Sequence, residues 1–225
     1  MKILITGGSS GLGKSLVEEL SKDKKNYVYF TYNNSLKSAL KISKANKNTS
    51  FFKCDFKVKL ELDELIKKIK KIDLDVLINN FYCWPENPLL PGTFLNQHFH
   101  KIDEKIFIDE FKNNIIPTVK ITQEVIKHFR IKKKGRIITT LTSYLESPTI
   151  GSSIYLANKS YLKTLSEVWK IENKKYNITS HYFCPSFMIT KHTSKMDERL
   201  IDQMINTSKT KKLMTVNRPI SAGFK

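Results

Sequence analysis

The sequence predicts an α/β protein: a parallel, doubly wound sheet with helices on both faces, giving three layers. Three observations point there. Four of the chain's eight glycines (Gly7, Gly8, Gly11 and Gly13) fall in one turn between an apolar run and a helical pattern. Short runs of β-branched and aromatic residues then alternate with stretches of helical period. Finally, Tyr155 and Lys159 stand one helical turn apart, soon after an apolar strand that ends in hydroxyls. With 225 residues, 40% of them hydrophobic, the chain can bury a core and reads as one domain over 1–225.

The first strand is Ile3-Leu4-Ile5, and Leu12, Leu16, Val17 and Leu20 recur beyond the turn at helical spacing. Glycine admits positive φ and close approach of a ligand to the main chain. A strand, a glycine turn and a helix N-terminus together favour a phosphate, through unpaired N–H groups and the helix dipole. Two patterns overlap in this turn. Gly8, Gly13, Lys14 and Ser15 satisfy G-x-x-x-x-G-K-[ST], the P-loop of ATP- and GTP-using proteins. Thr6, Gly7, Gly11 and Gly13 satisfy T-G-x-x-x-G-x-G, which resembles the cofactor turn of the short-chain dehydrogenase/reductase family, a Rossmann variant. The turn alone fits both.

Tyr27 to Thr31 is the second strand. It ends at Tyr32-Asn33 with no carboxylate to meet an adenosine 2′-hydroxyl, so the site leans towards NADP over NAD. Lys37, Ser9 and Ser10 are candidates for the extra phosphate, with ordinary surface roles as the alternative. Phe51 to Cys54 is the third strand, followed by Asp55, which reads equally as an N-cap. Leu60 to Ile72 is an amphipathic helix, and Asp75 to Asn80 a buried fourth strand ending in the amides Asn79 and Asn80.

Residues 81–103 are irregular, broken by Pro85, Pro88 and Pro91, and leave the end of a strand where α/β sheets bind ligands. Trp84, Phe94 and Leu95 are pocket candidates there. His98 and His100 lack a third ligand nearby, so no metal site is expected. Asp103 to Arg130 keeps a helical period, with Pro117 expected to kink it and free an upstream carbonyl near Asn114. Gly135 to Leu141 is the fifth strand, ending at Thr142-Ser143, and Ile178 to Phe183 the sixth.

Tyr155 and Lys159 carry the chemistry. A phenol titrates near pH ~10, and a neighbouring ammonium is expected to lower that value and bring the group within reach of acid/base work. A hydroxyl at Thr142 or Ser143 can hydrogen-bond a carbonyl or the alkoxide formed from it. With the preceding Gly-Arg-Ile-Ile and the following Cys184-Pro185-Ser186, the chain from Lys2 to Thr190 resembles a short-chain dehydrogenase/reductase.

That resemblance implies an NAD(P)-dependent oxidoreductase interconverting a carbonyl and a secondary alcohol, with Asn114, Thr142, Tyr155 and Lys159 as the catalytic set. Tyr155 would give or take the proton, Thr142 steady the oxygen, Lys159 hold the nicotinamide ribose, and Asn114 support a water relay to Lys159. It places cofactor contacts at Thr6, Gly7, Ser9, Ser10, Gly11, Leu12 and Gly13 and at Tyr32, Asn33, Asp55 and Phe56. Further contacts follow at Asn79, Asn80, Tyr155, Lys159, Pro185, Ser186, Met188 and Thr190, with Asp55 on the adenine. Substrate loops fall at 81–103 and 186–215, and a homodimer or homotetramer through the helices of Asn114 and Tyr155 is implied.

The chain departs from the family at three places. Asn79-Asn80-Phe81-Tyr82 stands for N-N-A-G, so that Phe81 is expected to press on the cofactor cleft. Ser186 replaces a glycine. The end at Pro219 to Lys225 is expected to omit the usual last strand and leave the sixth as an exposed edge. The alternatives are a dinucleotide-binding protein without turnover and a P-loop hydrolase or kinase. The latter leaves Tyr155, Lys159 and Asn114 without a role.

The formal charge of +18 would suit an anionic partner, but the lysines are dispersed as solvated faces, so nucleic acid is not expected. Three cysteines without a C-x-x-C pair fit a reducing compartment. The N-terminal apolar run is too short for a signal peptide, and no run approaches the ~20 apolar residues of a membrane span. A cytoplasmic protein acting on a small molecule is the expectation.

Overall fold

The computed structural model describes residues 1–83, 98–186 and 188. Six parallel strands form one sheet: β1 (Lys2–Ile5), β2 (Tyr27–Tyr32), β3 (Thr49–Lys53), β4 (Val76–Asn79), β5 (Gly135–Thr140) and β6 (Ile178–Phe183). Their spatial order is β3-β2-β1-β4-β5-β6. The connections are α1 (Gly11–Leu20), α2 (Leu36–Ala45), α3 (Lys59–Ile69), α4 (Glu104–Lys132) and α5 (Ser153–Asn173). The order reverses between β1 and β4, which is where doubly wound sheets open a ligand crevice.

Strand alternation assigns the two faces. Ile3 and Ile5 of β1, Val28 and Phe30 of β2, Val76 and Ile78 of β4 and Ile138 of β5 pack on α1 and α2. One cross-strand row runs Phe30, Ile5, Ile78, Ile138, with every member buried. The intervening residues Leu4, Leu77 and Ile137 pack with Leu62 and Leu65 of α3, Ile121 and Val125 of α4 and Trp169 of α5. The buried runs of these strands follow from having helices on both faces.

The element boundaries differ from the sequence reading by one to three residues. The third strand begins at Thr49 rather than Phe51 and stops before Cys54, which is buried among the α3 side chains. Asp103 caps α4, its carboxylate accepting from Lys105 N–H at 2.8 Å. The helix runs through Pro117 as one element and stops at Lys133, held left-handed at φ 52°. Expectations for Trp84, Phe94, Leu95 and Thr190, for the segment 189–215 and for a strand after β6 lie outside the described residues. Among the described residues, no helix is long and apolar enough to cross a membrane, and no cluster of three metal-ligating side chains occurs.

Candidate active site

The turn after β1 is built for close main-chain approach. Gly7 and Gly11 hold φ of 68° and 51°. A methyl group on Gly13 would lie 2.1 Å from the Gly7 carbonyl oxygen and 2.6 Å from Asn80 Nδ2. Gly7 N–H donates to Thr31 Oγ1 at 2.8 Å and Gly8 N–H to the Thr31 carbonyl at 2.9 Å, tying the turn to β2. Thr6 ties it to β4: its Oγ1 accepts from the N–H groups of Asn80 and Phe81 at 3.0 and 3.1 Å. The turn therefore fits a phosphate-bearing dinucleotide, with the N-terminus of α1 behind it. Gly13→Ala is expected to cost about 3 kcal/mol or more through overpacking against backbone. Thermal unfolding reads that loss, and dinucleotide titration the accompanying loss of binding.

Lys14 Nζ lies 3.8 Å from Glu18 Oε1, further along α1. The other predicted contacts around the turn divide by burial. Ser10 is exposed, whereas Ser9 is buried and its carbonyl accepts from Ser38 Oγ at 2.6 Å. Leu12 packs in the core under α1, which leaves its main chain for a ligand. Tyr32 meets Phe51 edge-on at 5.4 Å, with Asn33 part-exposed beside it, and Lys37 is exposed.

Asp55 accepts from Lys57 N–H at 2.9 Å, but the N-cap of α3 is Val58, so the capping alternative fails. Phe56, expected as a cofactor contact, turns its ring away and leaves its main chain to face a ligand. Its ring is in the core, 4.3 Å from that of Phe81. The expectation for Phe81 is corrected: its ring packs on Phe56 and the core rather than pressing on the cleft. Its main chain still crowds the turn, since a methyl on Gly7 would meet Phe81 Cα at 3.2 Å.

Asn80 Nδ2 donates to the Thr6 and Gly7 carbonyls at 3.1 and 3.3 Å. Asn79 Nδ2 donates to Thr122 Oγ1 at 2.9 Å, and its buried Oδ1 has no hydrogen-bond partner among the described residues. Pro185 and Ser186 are buried beside the β5 end, the Pro185 carbonyl accepting from Ser143 N–H at 3.0 Å. Met188 packs against the α1-side core.

Three of the four expected catalytic residues come together. Thr142 and Tyr155 share a side-chain hydrogen bond, which selects Thr142 over Ser143. Lys159, on the next turn of α5, donates Nζ to the Thr140 carbonyl at 2.8 Å and lies 5.8 Å from the Tyr155 ring centroid. Asn114 is directed elsewhere. Its Oδ1 accepts from Cys83 N–H at 2.6 Å, and its Nδ2 donates to the Cys83 carbonyl and to Glu110 Oε2, both at 3.1 Å. Its carbonyl accepts from Thr118 Oγ1 at 2.8 Å. Asn114 thus clamps the chain after β4.

The electrostatics correct one expectation outright. Burial pushes the Tyr155 phenol up to about 12 rather than down, and the Thr142 hydrogen bond opposes this only in part. Burial also lowers the Lys159 ammonium to about 7. A lysine enclosed between two aromatic rings and one carbonyl loses hydration that disfavours its charged form. Tyr155 is therefore a protonated acid at neutral pH, and the residue keeps enough exposure for a substrate to reach it.

Three further residues belong to the site. Tyr82 meets Tyr155 edge-on at 5.1 Å, and its ring lies over Lys159 Nζ at 4.9 Å. Its Oη donates to Glu110 Oε2 at 3.4 Å and accepts from Asn158 Nδ2 at 3.3 Å. Burial raises the Glu110 carboxyl to about 7. The available signals were weak: a carboxylate four residues before Asn114 on one helix face, and an amide next to Lys159.

A family model described as short chain dehydrogenase matches residues 1–201. Over 206 residues, 88% of this chain and 62% of the relative, it is 27% identical to 17-beta-hydroxysteroid dehydrogenase type 3 of Homo sapiens. It is also 27% identical to a diacetyl reductase [(S)-acetoin forming] of Staphylococcus epidermidis, covering 88% of this chain and 75% of that one. The chain thus spans about six-tenths of the length of the first of these relatives. The solved structure of ElxO with NADP bound superposes with a TM-score of 0.79 at 22% identity, covering 96% of this chain and 86% of that one.

Proposed function

The chain belongs to the short-chain dehydrogenase family, and from that premise we propose that it is an NADP-linked oxidoreductase that reduces a small carbonyl compound to a secondary alcohol. The observation that carries the reading is the Tyr155 phenol, hydrogen-bonded to Thr142 with Lys159 one turn on, at the C-terminal end of the parallel strands, where the glycine turn also lies. Against the P-loop alternative stands the strand order, which is the dinucleotide-binding one.

The dinucleotide, when bound, supplies or accepts a hydride. The protein's residues do the remainder. The main chain of Gly7 to Gly13 and the N-terminus of α1 receive the phosphates. Thr142 and Tyr155 orient the substrate oxygen by hydrogen bonds. Tyr155 Oη would pass its proton to the substrate oxygen, so that the product leaves as the neutral alcohol. The resulting phenolate recovers a proton from solvent, with Lys159 as the neighbouring cation. A phenol held protonated at neutral pH suits the reductive direction.

Asn33 at the end of β2 brings no carboxylate against a 2′-phosphate, and exposed Ser10 and Lys37 stand within the same region, which supports NADP over NAD. Exposed Ile108 and Ile116 on α4 and Tyr161, Val168 and Ile171 on α5 support a homodimer through these helices. The test is a fluorescence titration with NADPH, NADH and Mg-ATP, followed by oxidation of NADPH with diketones, ketosteroids and simple aldehydes. NADPH is expected to bind most tightly and at least one carbonyl class to turn over. Binding of Mg-ATP alone would overturn the reading, and NADPH binding without turnover would leave a non-catalytic protein.

A further inference from the structure

An ammonium has three N–H donors, and those of Lys159 are enclosed. One meets the Thr140 carbonyl at 2.8 Å. Aromatic faces stand on two other sides, Tyr82 at 4.9 Å and Tyr155 at 5.8 Å, and the residue is 3% exposed. Among the described residues these rings and the carbonyl stand against Nζ, so a ribose hydroxyl approaching it displaces a ring. Tyr155 has to stay for the proton transfer, so Tyr82 has to give way.

We propose that Tyr82 is a positioning residue that covers Lys159 in the cofactor-free protein and rotates off it when the dinucleotide's ribose binds. The proposal rests on the oxidoreductase reading above. The backbone on either side is pinned: Phe81 N–H to Thr6 Oγ1 at 3.1 Å, and Cys83 to the Asn114 amide through both its N–H and its carbonyl. The moving part is therefore the side chain, turning about its own χ angles. Its hydroxyl is anchored to Asn158 and Glu110 at 3.3 and 3.4 Å, long enough for each bond to be weak. The ring adds a cation–π contact that a ribose contact must outcompete. Part of the cofactor binding energy of this chain is then spent on opening the site.

Two readouts test this, one without any cofactor. In the cofactor-free protein, the Lys159 ε-carbon is followed by NMR across pH. Tyr82→Ala admits water and is expected to raise the midpoint by about one unit or more; Cys184, which also faces Lys159, is unchanged by the substitution. NADPH is then expected to bind about 10-fold more tightly to Tyr82→Ala than to the parent. Tyr82→Phe keeps the ring and is expected to change binding by less than about threefold. Tyr82→Gly serves as the second variant if the alanine form does not fold. Equal or weaker NADPH binding by the ring-less variants, or a Lys159 midpoint that stays put, would overturn the proposal. Failure of every form, parent included, to bind any dinucleotide would overturn the oxidoreductase reading itself and with it the ribose step.

Discussion

Tyr155→Phe is expected to reduce kcat/KM for carbonyl reduction by about 10³-fold or more while leaving the NADPH dissociation constant within about threefold. The substitution removes one oxygen. That oxygen is the only atom of the residue that can deliver a proton, and it is also the partner of Thr142. The ring stays, and with it the edge-on contact to Tyr82 and the flank beside Lys159. Binding therefore survives and the proton step does not.

The pH profile gives the same experiment a second readout. In the parent the phenol sits at about 12, so the acid form persists throughout the neutral range. Reduction is expected to show no fall attributable to Tyr155 between pH 6 and about 9. A parent enzyme that lost reductive activity with a midpoint near neutrality, together with a phenylalanine variant retaining most of its turnover, would remove Tyr155 from the role of acid.

The sheet and the placement of Thr142, Tyr155 and Lys159 were legible because they are local. A strand that ends in hydroxyls, and a phenol one turn before an ammonium, are encoded in spacing. The glycine turn was legible for the same reason. What the sequence did not carry was the consequence of contacts between distant segments. Tyr82 meets Asn158 across 76 positions, and that meeting seals Lys159 from water. The sign of the Tyr155 shift follows the burial of the phenol and not the four-residue spacing. Alternation along the chain after β4 also decided which departure matters: Phe81 turns to the Phe56 side of the sheet, leaving Tyr82 to face the catalytic helix. Reading the 81/82 pair as two faces rather than as one bulky insertion was possible from period alone. The partners on each face were not.

Lys159→Met is expected to inactivate the enzyme and yet to stabilise the fold at neutral and acid pH. The lysine's folded value of about 7 lies below its ordinary 10.5, so the unfolded chain binds a proton that the native protein resists. Native stability therefore falls as pH drops from about 10.5 to about 7 and stays reduced below that, at a cost on the order of a few kcal/mol. Methionine fills similar volume without a charge and removes this penalty. Against the gain stands the Thr140 carbonyl, which loses its 2.8 Å partner and costs about 1–3 kcal/mol if left unmet. The two terms scale differently with pH. The lost hydrogen bond costs the same throughout, whereas the ionisation penalty vanishes above the unfolded value. The variant is accordingly expected to melt above the parent at pH 6 and at or below it near pH 10.5, with the curves crossing between. A buried cation that weakens the fold is then kept for what it does to a bound ligand. Parallel melting curves with no crossing would show instead that Lys159 remains hydrated in the native protein, and would take the enclosure by Tyr82 down with it.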